Sequence, residues 1–283
     1  MPLLAPAVDR YVRAVVQACA GAESGAVSVV LFGSAAVGGY LPEISDVDLL
    51  IVLADGATRQ DRRRVRDMIA ELEAGSGITK QYLYQRGALD AIADRITANT
   101  RSFFVCTRGD LLSGTPARIL DIPALQARFV DRVAIPSIIG SGVTIWGEDL
   151  LREVPLLPIR RLDVAKALFS FLNQVLFTLV AYPLLPGATK YAMEALKRSI
   201  HNCYYCYHCH PAQLCEEVAF FQKRIGPNVT LARLMKLRKA YQPSLTFILC
   251  CLPTLVRLHL ATARDNHFPR DPRALGTVRS NGC

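Results

Sequence analysis

The stretch from Val27 to Leu53, VSVVLFGSAAVGGYLPEISDVDLLIVL, constrains the fold more than any other part of the chain. It holds two apolar, β-branched runs. Val27–Phe32 stops at Gly33-Ser34, and Val47–Leu53 begins inside Asp46-Val47-Asp48. Short runs of this kind, bounded by glycine and polar residues, read as strands. Side chains alternate along a strand, so Asp46 and Asp48 share one face while Val47 and Leu49 enter the core. Two carboxylates about 7 Å apart at the mouth of a sheet repel each other unless a cation lies between them, and a divalent ion such as Mg2+ is the usual solution. Gly33 lets an anion approach the backbone, and Ser34 adds a hydroxyl beside exposed N–H groups. Anion cradle and metal clamp lie twelve residues apart (34 to 46), at the ends of neighbouring strands, as a nucleoside-triphosphate site requires. Either half alone is an ordinary feature, a Gly-Ser turn or a solvated Asp-x-Asp. Their order between two strands carries the reading.

Leu31-Phe32-Gly33-Ser34-Ala35-Ala36-Val37-Gly38-Gly39, followed by Ser45-Asp46-Val47-Asp48-Leu49-Leu50, resembles the signature of the polymerase-β-like nucleotidyltransferase superfamily, in the wording of the streptomycin/spectinomycin adenylyltransferases. A looser likeness covers Asp131–Pro155, the stretch that leads into their helical domain. The resemblance implies an α/β (α+β) nucleotidyltransferase domain with a mixed sheet. It also implies transfer of a nucleoside monophosphate from an NTP, ATP being the first expectation, to an acceptor hydroxyl with release of pyrophosphate. Asp46 and Asp48 would be the catalytic Mg2+ ligands, and Gly33 and Ser34 would hold the phosphates.

The chain departs from this pattern on the next strand. Relatives carry a third carboxylate there, which completes the metal site or serves as general base. Ile78–Gln85, ITKQYLYQ, contains no acid, and the gap falls at Thr79–Gln81. Three readings stay open. Asp90 or Asp94 supplies the base, or positioning and charge stabilisation carry the reaction without a strong base, or the chain is a catalytically impaired nucleotide-binding or regulatory protein.

Along the rest of the N-terminal part, the periodicity predicts helices at 7–20 and 59–74, the second capped by Thr58, and strands at 102–106 and 143–146. Arg108-Gly109-Asp110 reads as a turn, and 116–120 and 123–139 read as helices. Arg62, Arg63, Arg64 and Arg66 either touch phosphate or form a solvated face with i,i+4 partners such as Asp67. The Val154–Pro158 stretch is the linker candidate. Expected domains are therefore 1–155 (nucleotidyltransferase), 156–265 (an all-α bundle) and 266–283 (a flexible tail). Bundle helices are expected at about 160–182, 188–209, 212–224, 229–241 and 244–264, separated by Pro183, Pro186-Gly187, Pro211, Gly226-Pro227 and Pro243.

Charge divides along the same line. Residues 156–264 carry fourteen Lys/Arg against four acids, while the remainder carries nineteen against twenty. A helical domain this basic suits an anionic acceptor, RNA with tRNA as first candidate or a phosphorylated metabolite, better than the polycationic drug of an aminoglycoside-type adenylyltransferase, although a locally acidic pocket on a basic domain would still accommodate the drug. Lys190, Lys197 and Arg198 share one helical face, so Lys190 is a candidate nucleotide-binding residue, against the plainer alternative of a wet bundle face. Cys203, Cys206 and Cys209 recur every three residues among histidines. That spacing fits a buried helical stripe better than a metal centre, which draws its ligands from separated pairs. Cys250-Cys251 is expected to be packed. Ala167–Leu185 has nearly the length of a membrane span, but Asn173, Gln174 and Pro183 interrupt it, so a buried bundle helix and no membrane are expected. Met1–Val16 lacks an uninterrupted apolar run, which leaves the cytoplasm as the expected location.

Overall fold

The two apolar runs of the opening stretch form adjacent antiparallel strands in a computed structural model of the chain, and a mixed sheet grows outward from them. The structure describes residues 4–40, 45–78, 102–120, 133, 140–155, 159–185 and 187–265. The chain divides into two compact units: Met1–Leu83 with Arg101–Ala127 and Ile138–Leu157, and Tyr84–Thr100 with Arg128–Ser137 and Pro158–Cys283.

In the first unit, helix α1 (Pro6–Ala20) precedes β1 (Ala26–Phe32), a single helical turn α2 (Gly33–Ala36) and β2 (Asp48–Leu53). Then come α3 (Arg59–Ser76), β3 (Phe103–Thr107), the short helices α4 (Arg108–Leu112) and α5 (Pro116–Ile119), and β4 (Val143–Gly147). The sheet order is β3-β2-β1-β4. β1 is antiparallel to β2 and β4, and β2 runs parallel to β3. A parallel pair needs a crossover, and the β2–β3 connection carries α3.

Alternation decides what each face of the sheet buries. Val29, Leu31, Leu49, Ile51, Leu53, Phe103 and Val105 form one core with Val8, Val12 and Val15 of α1 and Val65 and Ile69 of α3. The opposite side chains, Val30, Leu50, Val52 and Cys106, are buried as well. A sheet covered on both faces accepts the continuous apolar runs seen in the sequence. Thr58 caps α3 in a reciprocal box: its hydroxyl accepts from the Asp61 N–H at 3.2 Å, and the Asp61 carboxylate accepts from the Thr58 N–H at 2.9 Å. The arginines of α3 are engaged along the unit itself, Arg62 with Asp110 at 2.9 Å, Arg63 with Asp67 at 3.9 Å and Arg64 with Asp61 at 3.4 Å. The expected turn at Arg108-Gly109-Asp110 is instead the start of α4, because Thr107 and Asp110 form a second capping box.

The second unit is helical: α6 (Arg161–Ala181), α7 (Ala188–His208), α8 (Leu214–Ile225), α9 (Val229–Lys239) and α10 (Leu245–Arg264). α6, α7 and α10 pack against one another, with α7 the most deeply buried. Phe171, Val175, Leu196, Ile200, Phe221, Phe247, Leu255 and Leu258 lie in its core. Asn228 caps α9 and Ser244 caps α10, and the Ser244 N–H is held by the Thr189 hydroxyl at 2.8 Å. Two expectations change here. α6 is not a buried helix, because only 28% of its most apolar eighteen residues are buried. Cys251 is packed but Cys250 is exposed. The helix expected at 123–139 and the tail after 265 lie outside the described residues.

Candidate active site

Strand register, rather than the connecting loop, brings the phosphate turn and the carboxylates together. Phe32 pairs with Asp48 across β1 and β2, so the next residue of β1, Gly33, sits beside the Asp48 side chain. Gly33 has φ +68°, the left-handed region open to glycine. A Cβ built there would lie 2.3 Å from Asp48 Oδ2 and 3.2 Å from its Cγ. The space that any other side chain would fill is thus occupied by the carboxylate, a local reason for glycine that conformational freedom alone does not give.

Asp46 and Asp48 are both half-buried, and Val47 between them is buried with Leu49 in the core beneath. The alternation read from sequence therefore holds, with both carboxylates directed away from the apolar layer. Ser34 follows Gly33 in the turn of α2, which is closed by the Gly39 N–H donating to the Ser34 carbonyl at 2.8 Å. All four residues expected to form the N-terminal site, Gly33, Ser34, Asp46 and Asp48, lie at the same ends of β1 and β2.

Two neighbours of this site were not visible in the sequence. The Gly33 N–H donates to the Ser141 hydroxyl at 3.3 Å, a contact spanning 108 residues. Ser141 stands in Gly140-Ser141-Gly142 just before β4, and the antiparallel pairing of β4 with β1 delivers it to the end of β1. Tyr40 is the second. Burial, and after it the negative charge of Asp46, push its hydroxyl above its ordinary pKa, which places the phenol within the field of that carboxylate. A Gly-Ser-Gly triplet ahead of a strand was the one available signal for Ser141. Tyr40 offered none beyond its position after Gly38-Gly39.

The donor set suits Mg2+. Both candidate ligands are hard carboxylate oxygens, and Mg2+ is commonly held by one or two carboxylates while substrate phosphates and water complete its shell. Among the described residues no group of three or more His, Cys, Asp or Glu side chains is placed to hold a metal, so Asp46 and Asp48 are what these residues offer at the strand ends. Thr79–Gln85, Asp90 and Asp94, on which the question of the third carboxylate and the base turns, lie outside the described residues.

The remaining candidates belong to the helical unit. Lys190 is 4% exposed, with its ammonium 4.8 Å from the centroid of the Tyr191 ring, so it does not sit on a wet bundle face. Lys197, half-buried, is paired with Glu194 at 2.5 Å. Cys203 packs in the main helical core, and Cys206 and Cys209 pack with Val133, Val164 and Tyr205.

The nucleotidyltransferase domain family matches residues 13–90, which contain the second half of α1, both central strands and both carboxylates. The fold is similar to that of spectinomycin adenyltransferase AAD(9) from Enterococcus faecialis, a crystal structure with ATP and spectinomycin. That likeness has a TM-score of 0.52 at 12% sequence identity and covers 90% of this chain and 99% of the other. No curated protein sequence matches the chain. Residues 13–90 thus match the nucleotidyltransferase domain family, in a chain whose fold resembles that of spectinomycin adenyltransferase.

Proposed function

We propose that this protein transfers a nucleoside monophosphate from an NTP, with ATP as the first candidate, to an acceptor hydroxyl. The acceptor oxygen bonds to the α-phosphorus, the bond to the β-phosphate oxygen breaks, pyrophosphate leaves, and the hydroxyl proton passes to a base still to be assigned. One observation carries the reading: Asp48 fills the space beside the left-handed Gly33, so phosphate turn and carboxylate form one surface, with Asp46 on the same side. Asp46 and Asp48 would hold Mg2+, which when bound neutralises the triphosphate charge and supports in-line displacement. Gly33 and Ser34 would hold the phosphates at this turn, with Ser34 offering its hydroxyl to them.

Two acceptor classes each have an observation behind them. The fold likeness to an enzyme crystallised with ATP and spectinomycin supports a small aminoglycoside-type acceptor. The ten surplus positive charges of residues 156–264 support an anionic one such as tRNA. Lys190→Met tests the remaining candidate on its own: if Lys190 binds nucleotide, ATP affinity falls about tenfold, the scale of one charge-assisted hydrogen bond.

The test is pyrophosphate release from each of the four NTPs with Mg2+, in the presence of spectinomycin, streptomycin, total tRNA or no acceptor, beside Asp48→Asn. Release that requires one acceptor class and vanishes in the variant supports the enzyme and identifies the class. Calorimetric NTP binding without release under any condition sinks the transfer reading in favour of a nucleotide-binding protein, the outcome that the acid-free Ile78–Gln85 segment would explain.

A further inference from the structure

The helical unit exposes large apolar side chains along two of its helices. On α6, Leu162, Phe169, Leu176 and Val180 are 63%, 56%, 46% and 78% exposed, and they lie opposite the buried row Val164, Ala167, Phe171 and Val175. On α10, which packs beside α6, Leu245, Leu249 and Leu260 are exposed in the same way. Both helices are long and apolar enough to cross a membrane, and more than half of the most apolar stretch of each is unburied.

We infer that the outer face of α6 and α10 is the contact between two copies of this chain. Three features select a second copy over other occupants. The first is period. Leu162, Phe169 and Leu176 are spaced by seven, and Leu245, Leu249, Leu252 and Val256 by four, three and four. A seven-residue repeat drifts around an isolated helix and stays in line only against a partner helix that supercoils with it. A lipid surface imposes no such repeat.

The second feature is charge. Ala167–Leu185 and Leu245–Val256 contain no ionisable Asp, Glu, Lys, Arg or His, although the unit around them carries ten surplus positive charges. An acidic partner or an anionic membrane would be met by those cations, and this face omits them beyond Lys166, which stands at its α6 end between Leu162 and Phe169. Two copies of a basic unit repel across most surfaces, and an uncharged seam is where they meet at least cost. The third feature is area. Seven exposed side chains on the two helices, with Leu184 just beyond α6, expose apolar surface of about 100 Å² each, roughly 800 Å² in all. That is the area each partner contributes to a standard interface, and more than the apolar patch a typical monomer leaves bare.

A two-fold axis would lay the same surface on itself, α6 against α6 of the second copy. Asn173, the exposed amide midway along this face, would fix the register, as single polar residues do in coiled-coil seams. The inference does not depend on the proposed nucleotidyl transfer.

The mass of the full chain in solution tests it, by sedimentation equilibrium across the micromolar range. The expected result is a mass twice the 31.1 kDa of one chain. Phe169→Glu combined with Leu176→Glu should weaken self-association at least a hundredfold, with the helical circular dichroism unchanged. Val180→Lys alters the most exposed side chain of the seam with the least risk to folding, and should shift the same equilibrium in the same direction. A wild-type chain that stays monomeric throughout overturns the inference, as does a dimer untouched by all three substitutions. Co-sedimentation of a monomeric wild type with phosphatidylcholine–phosphatidylglycerol vesicles, abolished by the substitutions, would assign the face to a lipid surface instead.

Discussion

The two units handle apolar side chains in opposite ways. Among the described residues, every large hydrophobic side chain that is strongly exposed belongs to the helical unit, and none belongs to the sheet unit. The sheet unit buries both faces of its strands and brings carboxylates to the strand ends. The helical unit is the more basic, yet it leaves its least charged surface uncovered. α3 and α6 show the contrast in single elements. α3 buries only Val65 and Ile69 and turns paired arginines and acids outward, whereas α6 is apolar on its buried and its outer side. A helix of the first kind needs one neighbour, and a helix of the second kind needs two. The sheet unit thus gathers its candidate carboxylates, half-buried, at the strand ends, while the helical unit encloses polar groups such as His259 and Glu217 in its interior.

The largest expected effect sharpens that division. Asp48→Asn should lower pyrophosphate release about a thousandfold, the scale of losing a metal-binding or charge-stabilising group, while the thermal midpoint stays within about a degree or two. A large drop in the midpoint would mean that the pair is structural, and the contrast between the units would fail.

The next effect concerns the helical unit alone. His259 is 2% exposed and Nδ1 donates to the Leu255 carbonyl at 3.0 Å; burial, offset in part by this bond, pushes the imidazole pKa from its ordinary 6.5 down to about 4. Below pH 6.5 the unfolded chain takes up a proton that the folded chain resists, so stability falls as the pH drops from 6.5 towards about 4 and is fully present above 6.5. Denaturant melts of wild type and His259→Leu at pH 5 and pH 7 should show a steeper acid loss in the wild type. Parallel losses would remove His259 from the account.

Gly33→Ala is expected to be smaller in stability but to reach both properties. The left-handed backbone costs an alanine about 1–2 kcal/mol. Because the methyl group must displace Asp48, ATP-dependent turnover should fall further than the melting shift explains. Turnover equal to wild type would show that the close approach is not needed for activity. Smallest of all, Thr58→Ala should cost about 1 kcal/mol through the lost cap of α3 and leave turnover unchanged, as measured by melting and pyrophosphate release together.

Much of this was legible beforehand, for identifiable reasons. Gly33, Ser34, Asp46 and Asp48 could be assembled from sequence because two short strands with a two-residue alternation leave little freedom in where their ends fall. The bundle helices could be placed to within a few residues because prolines and glycines separate them, and Thr58 was visible as a cap because capping chemistry is local. Ser141 was not, since it meets Gly33 only through the long-range pairing of β4 with β1. Nor was the exposure of Phe169 or Cys250, because an apolar helix carries no local mark of which face lacks a neighbour.

The pairing of Phe32 with Asp48 has a consequence for where insertions can be tolerated. The twelve-residue interval from Ser34 to Asp46 first marked the site, but it is not what aligns it. Alignment comes from the ladder, in which Leu31 faces Leu49 and Val29 faces Ile51 inside the core. Lengthening the connector between the strands leaves that ladder intact, whereas sliding β2 by one residue would turn both carboxylates inward and Val47 outward. A search for similar sites in other chains should therefore score strand register and let the gap vary, and a graft of this site should carry β1 and β2 together as one cassette.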